Sequence, residues 1–167
     1  PISPVINALG DVVAFGGRVL GKTDFAKYKN TRETVVFNKS KNLYNINQIK
    51  KLKKASGLKD LIMVEGYMDA ISLFQAGFCN VVASMGTSLT KDQARLAKRY
   101  ADDVFISYDG DFAGQKGAIR GLEILRDEQV NVRVVPLPEG LDPDDVIKRQ
   151  GPEGYRACLD GAMPLVD

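Results

Sequence analysis

Short apolar runs alternate with amphipathic stretches from residue 61 onward, and this alternation limits the possible folds more than any other feature of the chain. β-strands that are separated by helices usually form βαβ units around a parallel sheet. The pattern therefore predicts an α/β fold with a mostly parallel sheet flanked by helices. The predicted strands are Leu61–Val64, Val81–Ala83, Val104–Ser107 and Val132–Val135.

Helical signals fill the stretches between these strands. Gly77 should end the first helix, and the spacing of Thr90 and Gln93 is that of a capping box. Pro143 and Pro152 stand where the first turns of two further short helices would tolerate proline. The main predicted helices are Met68–Gln75, Thr90–Tyr100 and Gly117–Gln129.

The N-terminal third has a different character. Residues 1–59 hold 12 Lys and Arg against 3 Asp and Glu, whereas the remainder holds 11 against 18. A basic region could bind a polyanion, and an acidic region could bind metal ions, although a solvated basic face would give the same charge pattern. We expect a smaller basic β-rich N-terminal lobe, with strands at Val12–Phe15 and Thr34–Phe37 and a linking helix at Asn45–Ser56. The predicted divisions are 1–56, 57–160 and 161–167.

Composition excludes several classes of function. Two cysteines and no histidine rule out a zinc finger and histidine-based catalysis within this chain. No apolar run approaches the roughly 20 residues that cross a bilayer, so no membrane partner is expected. These features favour a cytoplasmic location.

Acidic residues cluster where predicted strands should end. Carboxylates gathered in this way repel one another and lose hydration unless a divalent cation neutralises them. Ligands of open α/β sheets collect at the same edge. Because the set contains only oxygen donors, the expected cation is Mg²⁺, with Mn²⁺ as a substitute. The clusters are Glu65 with Asp69, Asp109 with Asp111, and Asp142 with Asp144 and Asp145.

Each cluster also has an ordinary structural explanation. Asp144 and Asp145 lie where acids cap a helix N-terminus, and Asp109-Gly110 could be a common turn. Glu65 could be solvated at a strand end. The coincidence of three clusters at one edge of one sheet favours a metal site over three separate explanations.

Several sequence motifs of this chain resemble those of a known protein family. Glu65-Gly-Tyr-Met-Asp69 followed by Asp109-Gly-Asp111 is similar to the Toprim domain shared by primases, topoisomerases and some nucleases. The stretch Ala14–Arg18 and the spaced motif from Lys27 to Lys39 resemble the catalytic core of bacterial DNA primase. The resemblance covers nearly the whole chain.

The resemblance implies roles for individual residues. Catalysis would involve Glu65, Asp109 and Asp111, with Glu65 managing the proton. Nucleotide and template would be bound by Arg18, Lys27 and Lys39. The implied metal ligands are Glu65, Asp69, Asp109, Asp111, Asp142 and Asp144.

The same resemblance implies an activity and its partners. Such an enzyme is a nucleotidyltransferase that makes short RNA primers on single-stranded DNA from ribonucleoside triphosphates at the bacterial replication fork. A full-length primase would also carry a zinc-binding domain and a helicase-binding domain, and this chain has neither. It is therefore expected to be a fragment, with weakened template selection, that reaches the replicative helicase only through a domain it lacks.

Three other functional interpretations remain open at this point. A topoisomerase or Toprim nuclease would keep the same acids but cut strands. A receiver-like phospho-acceptor domain also clusters acids at strand ends, but it would have an acidic pair after the first strand, where Glu65 is followed by Gly66. A non-catalytic nucleic-acid-binding module would have no reason to retain all three clusters.

Overall fold

The N-terminal part of the chain forms a small antiparallel sheet. The computed structural model describes residues 2–18, 28–30, 41–85 and 88–164. Within them, β1 (Ile2–Ile6), β2 (Val12–Arg18) and β3 (Tyr28–Asn30) pair in the order β1-β2-β3. The predicted strand Val12–Phe15 falls inside β2, and the predicted strand Thr34–Phe37 lies outside the described residues.

A parallel four-stranded sheet forms the larger part of the molecule, as the alternation of apolar runs predicts. Its strands are β4 (Asp60–Val64), β5 (Val81–Ala83), β6 (Asp103–Ile106) and β7 (Asn131–Val134). They pair in the order β5-β4-β6-β7, so that β4 and β6 are the central neighbours. All four predicted strands are confirmed to within one residue at each end.

Five helices accompany the sheet within the described residues. They are α1 (Ile46–Ser56), α2 (Tyr67–Gln75), α3 (Lys91–Lys98), α4 (Phe112–Asp127) and α5 (Pro143–Asp160). Gly151 breaks α5 with a φ of 73°, so Pro143 and Pro152 each start a helical segment, as predicted. The predicted start of α4 at Gly117 is wrong, because the helix begins five residues earlier.

The predicted helix signals act as expected. Thr90 accepts a hydrogen bond from the Gln93 N–H at 3.1 Å, and the Gln93 side chain accepts one from the Thr90 N–H at 3.1 Å. This is the capping box that satisfies two otherwise unpaired donors. Gly77 follows α2 with a φ of 102°, a conformation that residues with a Cβ rarely adopt.

The core has one cluster on each face of the parallel sheet. Alternate residues of β4 divide between them: Leu61 and Met63 pack in one cluster, and Ile62 and Val64 in the other. The first cluster holds residues of α1, α3 and α4, and the second holds residues of α2 and α5. Helices therefore cover both faces of the parallel sheet, which explains why the sequences of its strands are continuous apolar runs.

Tyr44 connects the two sheets. Its backbone bridges to Ala83 of β5 in both directions, at 2.9 and 3.3 Å. Its hydroxyl shares a hydrogen bond of 2.5 Å with the Ser3 hydroxyl of β1, and its ring packs beside Val5 and Met85. Along the described part of the chain, no helix is long and apolar enough to cross a bilayer.

Candidate metal centre

The order of the strands brings the first two acidic clusters together. Glu65 directly follows β4, and Asp109 lies three residues beyond the end of the neighbouring strand β6. The Asp109 N–H donates a hydrogen bond to Glu65 Oε1 at 3.2 Å. The carboxyl edge of the two central strands is therefore the base of the site.

Three carboxylates converge above this edge. Asp69 lies in the first turn of α2 and is 8% exposed. Asp69, Asp109 and Asp142 each offer an oxygen, and these three atoms lie within 4.8 Å of one another. Each of the three predicted clusters thus supplies one member of the group.

Close backbone packing holds Asp142 near Asp109. A Cβ on Gly110 would lie 2.2 Å from the Pro138 carbonyl oxygen, so only glycine allows the loop after β7 to approach here. The Gly110 N–H donates to the Leu141 carbonyl at 2.9 Å, directly before Asp142. Gly110 does not have a positive φ, so it provides space for this loop rather than the conformational freedom of a tight turn.

The other predicted ligands flank the three converging carboxylates. Asp111 caps α4, where its carboxylate accepts a hydrogen bond from the Gly114 N–H at 2.6 Å. The Asp144 N–H donates to Asp69 Oδ1 at 3.2 Å, and the Asp144 carboxylate accepts a hydrogen bond from Ser72. Asp144 also pairs with Lys148 at 2.8 Å.

Asp145 belongs to the third predicted cluster, although it is not one of the six predicted metal ligands. Oxygens of Asp142, Asp144 and Asp145 lie within 4.8 Å of one another. Asp142 and Asp145 also form a reciprocal capping box, since each side chain accepts a hydrogen bond from the other's backbone N–H, at 2.7 and 3.1 Å. Asp142 has the extended backbone predicted for a residue before proline, with φ −96° and ψ 171°.

Burial and mutual repulsion disfavour the charged forms of these acids. Desolvation first, and then the charge of Asp142, raise the pKa of Asp69 to about 8. Desolvation, followed by the charges of Glu65 and Asp142, raises the pKa of Asp109 to about 7. Desolvation is also the largest cause that raises the pKa values of Glu65 and Asp142.

The chemistry of the group fits a divalent cation. No lysine or arginine among the described residues forms an ion pair with Asp69, Asp109 or Asp142. Three oxygen donors within 4.8 Å can contact a common ion, and its charge would relieve the repulsion that raises their pKa values. Asp69, Asp109 and Asp142 are therefore the residues that could hold a divalent metal ion.

The side chains of the predicted nucleotide-binding residues lie outside the part of the chain that the structure describes. Arg18 is the last residue of β2, and the structure describes only its backbone. Lys27 and Lys39 lie outside the described residues. Two cations that sequence reasoning missed, Lys116 and Arg120, border a groove that also includes Glu65. Their four-residue spacing on a helix was the available signal.

Family models match both parts of the chain. A Toprim-like model covers residues 62–147, and a model of the N-terminal domain of the DNA primase catalytic core covers residues 2–50. The first match includes all six predicted metal ligands, and the second includes β1, β2 and β3.

Curated relatives are DNA primases. The chain is 46% identical over 167 residues to DNA primase from Clostridium acetobutylicum, and the alignment covers 99% of this chain and 27% of that protein. It is 39% identical over 166 residues to DNA primase from Aquifex aeolicus, with 99% of this chain and 33% of that protein covered. The chain thus spans about a quarter to a third of the length of these relatives.

Solved structures extend the comparison to the fold. The zinc-binding and RNA polymerase domains of the Aquifex aeolicus primase match with a TM-score of 0.88 and 38% identity, over 98% of this chain and 40% of that one. A DnaG primase catalytic domain bound to ssDNA matches with a TM-score of 0.88 and 37% identity, over 98% of this chain and 53% of that one. These matches do not favour a topoisomerase, nuclease or receiver domain. The chain belongs to the Toprim-like family, and its fold is that of the catalytic core of bacterial DNA primases.

Proposed function

We propose that this chain is the catalytic part of a DNA-directed RNA polymerase that makes short RNA primers on single-stranded DNA. In the reaction, a ribose 3′-hydroxyl attacks the α-phosphate of a ribonucleoside triphosphate and releases pyrophosphate. The observation that carries the proposal is the convergence of Asp69, Asp109 and Asp142 at the carboxyl edge of the sheet. The similarity to DNA primases along 99% of the chain supports it.

The proposed cofactor is Mg²⁺, with Mn²⁺ able to replace it. Asp69, Asp109 and Asp142 would hold the ion, with Glu65, Asp111 and Asp144 as further ligands beside them. When bound, such ions lower the pKa of an attacking hydroxyl and neutralise charge on the transferring phosphoryl group. An all-oxygen donor set suits these hard cations.

Individual residues have distinct proposed roles in the transfer. Glu65 accepts the proton of the 3′-hydroxyl, because burial raises its pKa toward the range of a general base. Asp109 and Asp111 would help to hold the metal ion, whose charge would attract the reacting phosphates. Arg18, Lys27 and Lys39 bind template and incoming nucleotide, since arginine and lysine suit phosphate groups.

The similarity to DNA primases supports the following proposed setting. The divisions are 1–56 as part of the basic lobe, 57–160 as the Toprim domain and 161–167 as the start of a following segment. The template is single-stranded DNA, as in the solved DnaG complex, and the product is an RNA primer. The replicative helicase would bind through a domain outside this chain, in the bacterial cytoplasm.

Extension of an RNA primer annealed to single-stranded DNA tests the proposal. The chain should add ribonucleotides only when Mg²⁺ or Mn²⁺ is present, and the Asp109→Asn variant should lose at least about 100-fold in rate, the scale of one general-acid–base or electrostatic contribution. Asp127→Asn is the matched control, because Asp127 is an exposed aspartate at the far end of α4. Equal rates for wild type and Asp109→Asn, or no extension by a chain that binds Mn²⁺, would contradict the proposal.

A further inference from the structure

An aromatic and basic strip runs along α4 beside the candidate metal centre. Phe112, Lys116 and Arg120 follow one another at four-residue intervals, so they lie on one side of the helix. Phe112 is 79% exposed, although it directly follows the capping residue Asp111. A single exposed apolar side chain is common on protein surfaces, so Phe112 is informative here through the two cations that follow it on the same side of the helix.

The strip borders a groove. A depression of about 340 Å³ is lined by Lys116 and Arg120 on one side and by Glu65, Ser88 and Tyr108 on the other. The Lys116 ammonium lies 5.5 Å from the centre of the Phe112 ring, so the two exposed side chains form a continuous surface. The groove therefore joins the two cations of the strip to Glu65 at the end of β4.

The cations of the strip are available to an outside ligand. Neither Lys116 nor Arg120 forms an ion pair with any residue that the structure describes, although both are exposed and close to an acidic site. A ligand that carries phosphates would be attracted by these two charges. A ligand that also carries flat bases could stack on Phe112, which is how many proteins bind single-stranded nucleic acids.

We propose that Phe112, Lys116 and Arg120 form a binding strip for a single-stranded polynucleotide, with a base on the ring and phosphates on the two cations. The inference rests on the proposed function for the class of ligand. The strip holds the strand beside Glu65 and the converging carboxylates, which repel phosphate without a metal. Its cations thus offset that repulsion at the edge of the site.

Binding of labelled oligonucleotides to the whole chain, without nucleotides or divalent metal, tests the strip. Phe112→Ala should weaken binding about tenfold without changing the dependence on salt, because stacking releases no counterions. Phe112→Tyr should bind like wild type, and Phe112→Leu should bind like Phe112→Ala. These variants separate a stacking ring from mere apolar bulk.

The two cations have a different expected signature. In the double variant Lys116→Gln, Arg120→Gln, the slope of log K against log salt should fall by about 1.4, the value for two lost contacts to a single strand. The matched control removes two exposed charges from α1, in Lys51→Gln, Lys54→Gln, and should leave the slope unchanged. Single-stranded DNA, single-stranded RNA and a nucleoside triphosphate are tested as separate ligands, which distinguishes template, primer and incoming nucleotide.

Two results would overturn the inference: no binding of either strand by wild type at low salt, or wild-type affinity and slope in the Phe112→Ala and double variants. Binding of the triphosphate alone through Lys116 and Arg120, with no effect of Phe112, would also overturn it. Failure of the proposed function would give a different result from failure of this inference. A chain that binds strands through this strip but never extends a primer contradicts the polymerase proposal and leaves the strip intact.

Discussion

The buried carboxylate of Asp69 destabilises the folded chain when it is charged. Binding of a metal ion or a proton would remove this destabilisation. It is 8% exposed, and its pKa rises from 3.8 to about 8 on folding. Between these two pH values the folded chain binds more protons than the unfolded chain. The free energy of unfolding therefore falls as pH rises through this window, by up to roughly 3 kcal/mol between about pH 5.5 and pH 8 for Asp69 alone.

We predict that the metal-free chain is more stable at about pH 5.5 than at about pH 8, and that Asp69→Asn reduces this difference. The asparagine keeps an oxygen that can accept the Asp144 N–H, so the variant removes the charge with little loss of hydrogen bonding. Urea denaturation at the two pH values in the presence of a chelator measures the effect. A wild-type chain that is more stable at the higher pH would contradict the assigned pKa directions.

Metal binding should depend on pH in the opposite sense. A cation competes with protons for the carboxylates, so Mn²⁺ affinity should increase as pH rises toward the pKa values of Asp109 and Asp69, about 7 and about 8. The double variant Asp109→Asn, Asp111→Asn should lose saturable binding, while its helix cap is retained, because asparagine caps as well as aspartate. Titration calorimetry checks both points. Unchanged Mn²⁺ binding in this variant would place the ion elsewhere.

At the scale of elements, helix α4 depends on one glycine for its position over the site. A Cβ on Gly114 would lie 2.2 Å from the Asp109 carbonyl oxygen and 2.9 Å from its carbon, so the helix could not start where it does. We predict that Gly114→Ala destabilises the chain by about 2 kcal/mol, despite the better helix propensity of alanine, and weakens Mn²⁺ binding. Thermal unfolding and Mn²⁺ titration measure these effects.

Gly161→Ala is the matched control for this substitution. A Cβ at Gly161 would meet its nearest atoms at 3.5 Å or more, which is ordinary contact, and its φ of −85° suits any residue. This variant should keep both the wild-type stability and the metal affinity. Equal behaviour of the two variants would mean that α4 can shift without affecting the site.

The same helix shows where sequence reasoning succeeded and where it failed. The position of the strand-end acids could be predicted from the sequence, because every parallel sheet places the carboxyl ends of its strands at one edge. The start of α4 was missed because Gly114 and Gly117 weaken the helical pattern. The close contact that requires Gly114 is with the backbone of Asp109, just before the helix, and such a backbone contact leaves no periodic signal in a single sequence.

Helix α5 is tied to the sheet by a buried hydroxyl pair. The Tyr155 hydroxyl of α5 donates to Ser107 Oγ at 2.8 Å. Both residues are fully buried, and Ser107 directly follows β6. We predict that Tyr155→Phe lowers the free energy of unfolding by about 1–2 kcal/mol, because the Ser107 hydroxyl then loses its hydrogen-bond donor. The ring at position 155 can still contact Phe78. The double variant with Ser107→Ala should lose less than the sum of the single effects in a urea-denaturation cycle. Strict additivity would show that this hydrogen bond does not link α5 to the sheet.

At the scale of the whole molecule, the antiparallel sheet contacts the parallel sheet around Tyr44. Residues 1–59 are basic and residues 60–167 are acidic, but this charge division does not coincide with the two sheets, because α1 belongs to the basic part and packs in a core cluster of the parallel sheet. Tyr44 supplies much of the contact through its bridge to Ala83, its ring and its hydrogen bond to Ser3. The parallel sheet has its own two core clusters, and Tyr44 packs against one of them as a half-buried side chain.

We therefore predict that Tyr44→Ala loosens the antiparallel sheet selectively. Amides of β1 and β2 should exchange with solvent about tenfold faster, because the opening of a weakly attached unit has its own small free energy. Amides of β4 and β6 should keep their protection, since fully buried residues of the sheet and its helices form most of the packing around these strands and Tyr44 is a half-buried neighbour. Phe74→Ala removes a partly exposed ring from α2 and is the control for general destabilisation. Equal acceleration in both sheets would show that the two parts open as one cooperative unit, and Tyr44 would then be a core residue of the whole chain rather than a connection between two lobes.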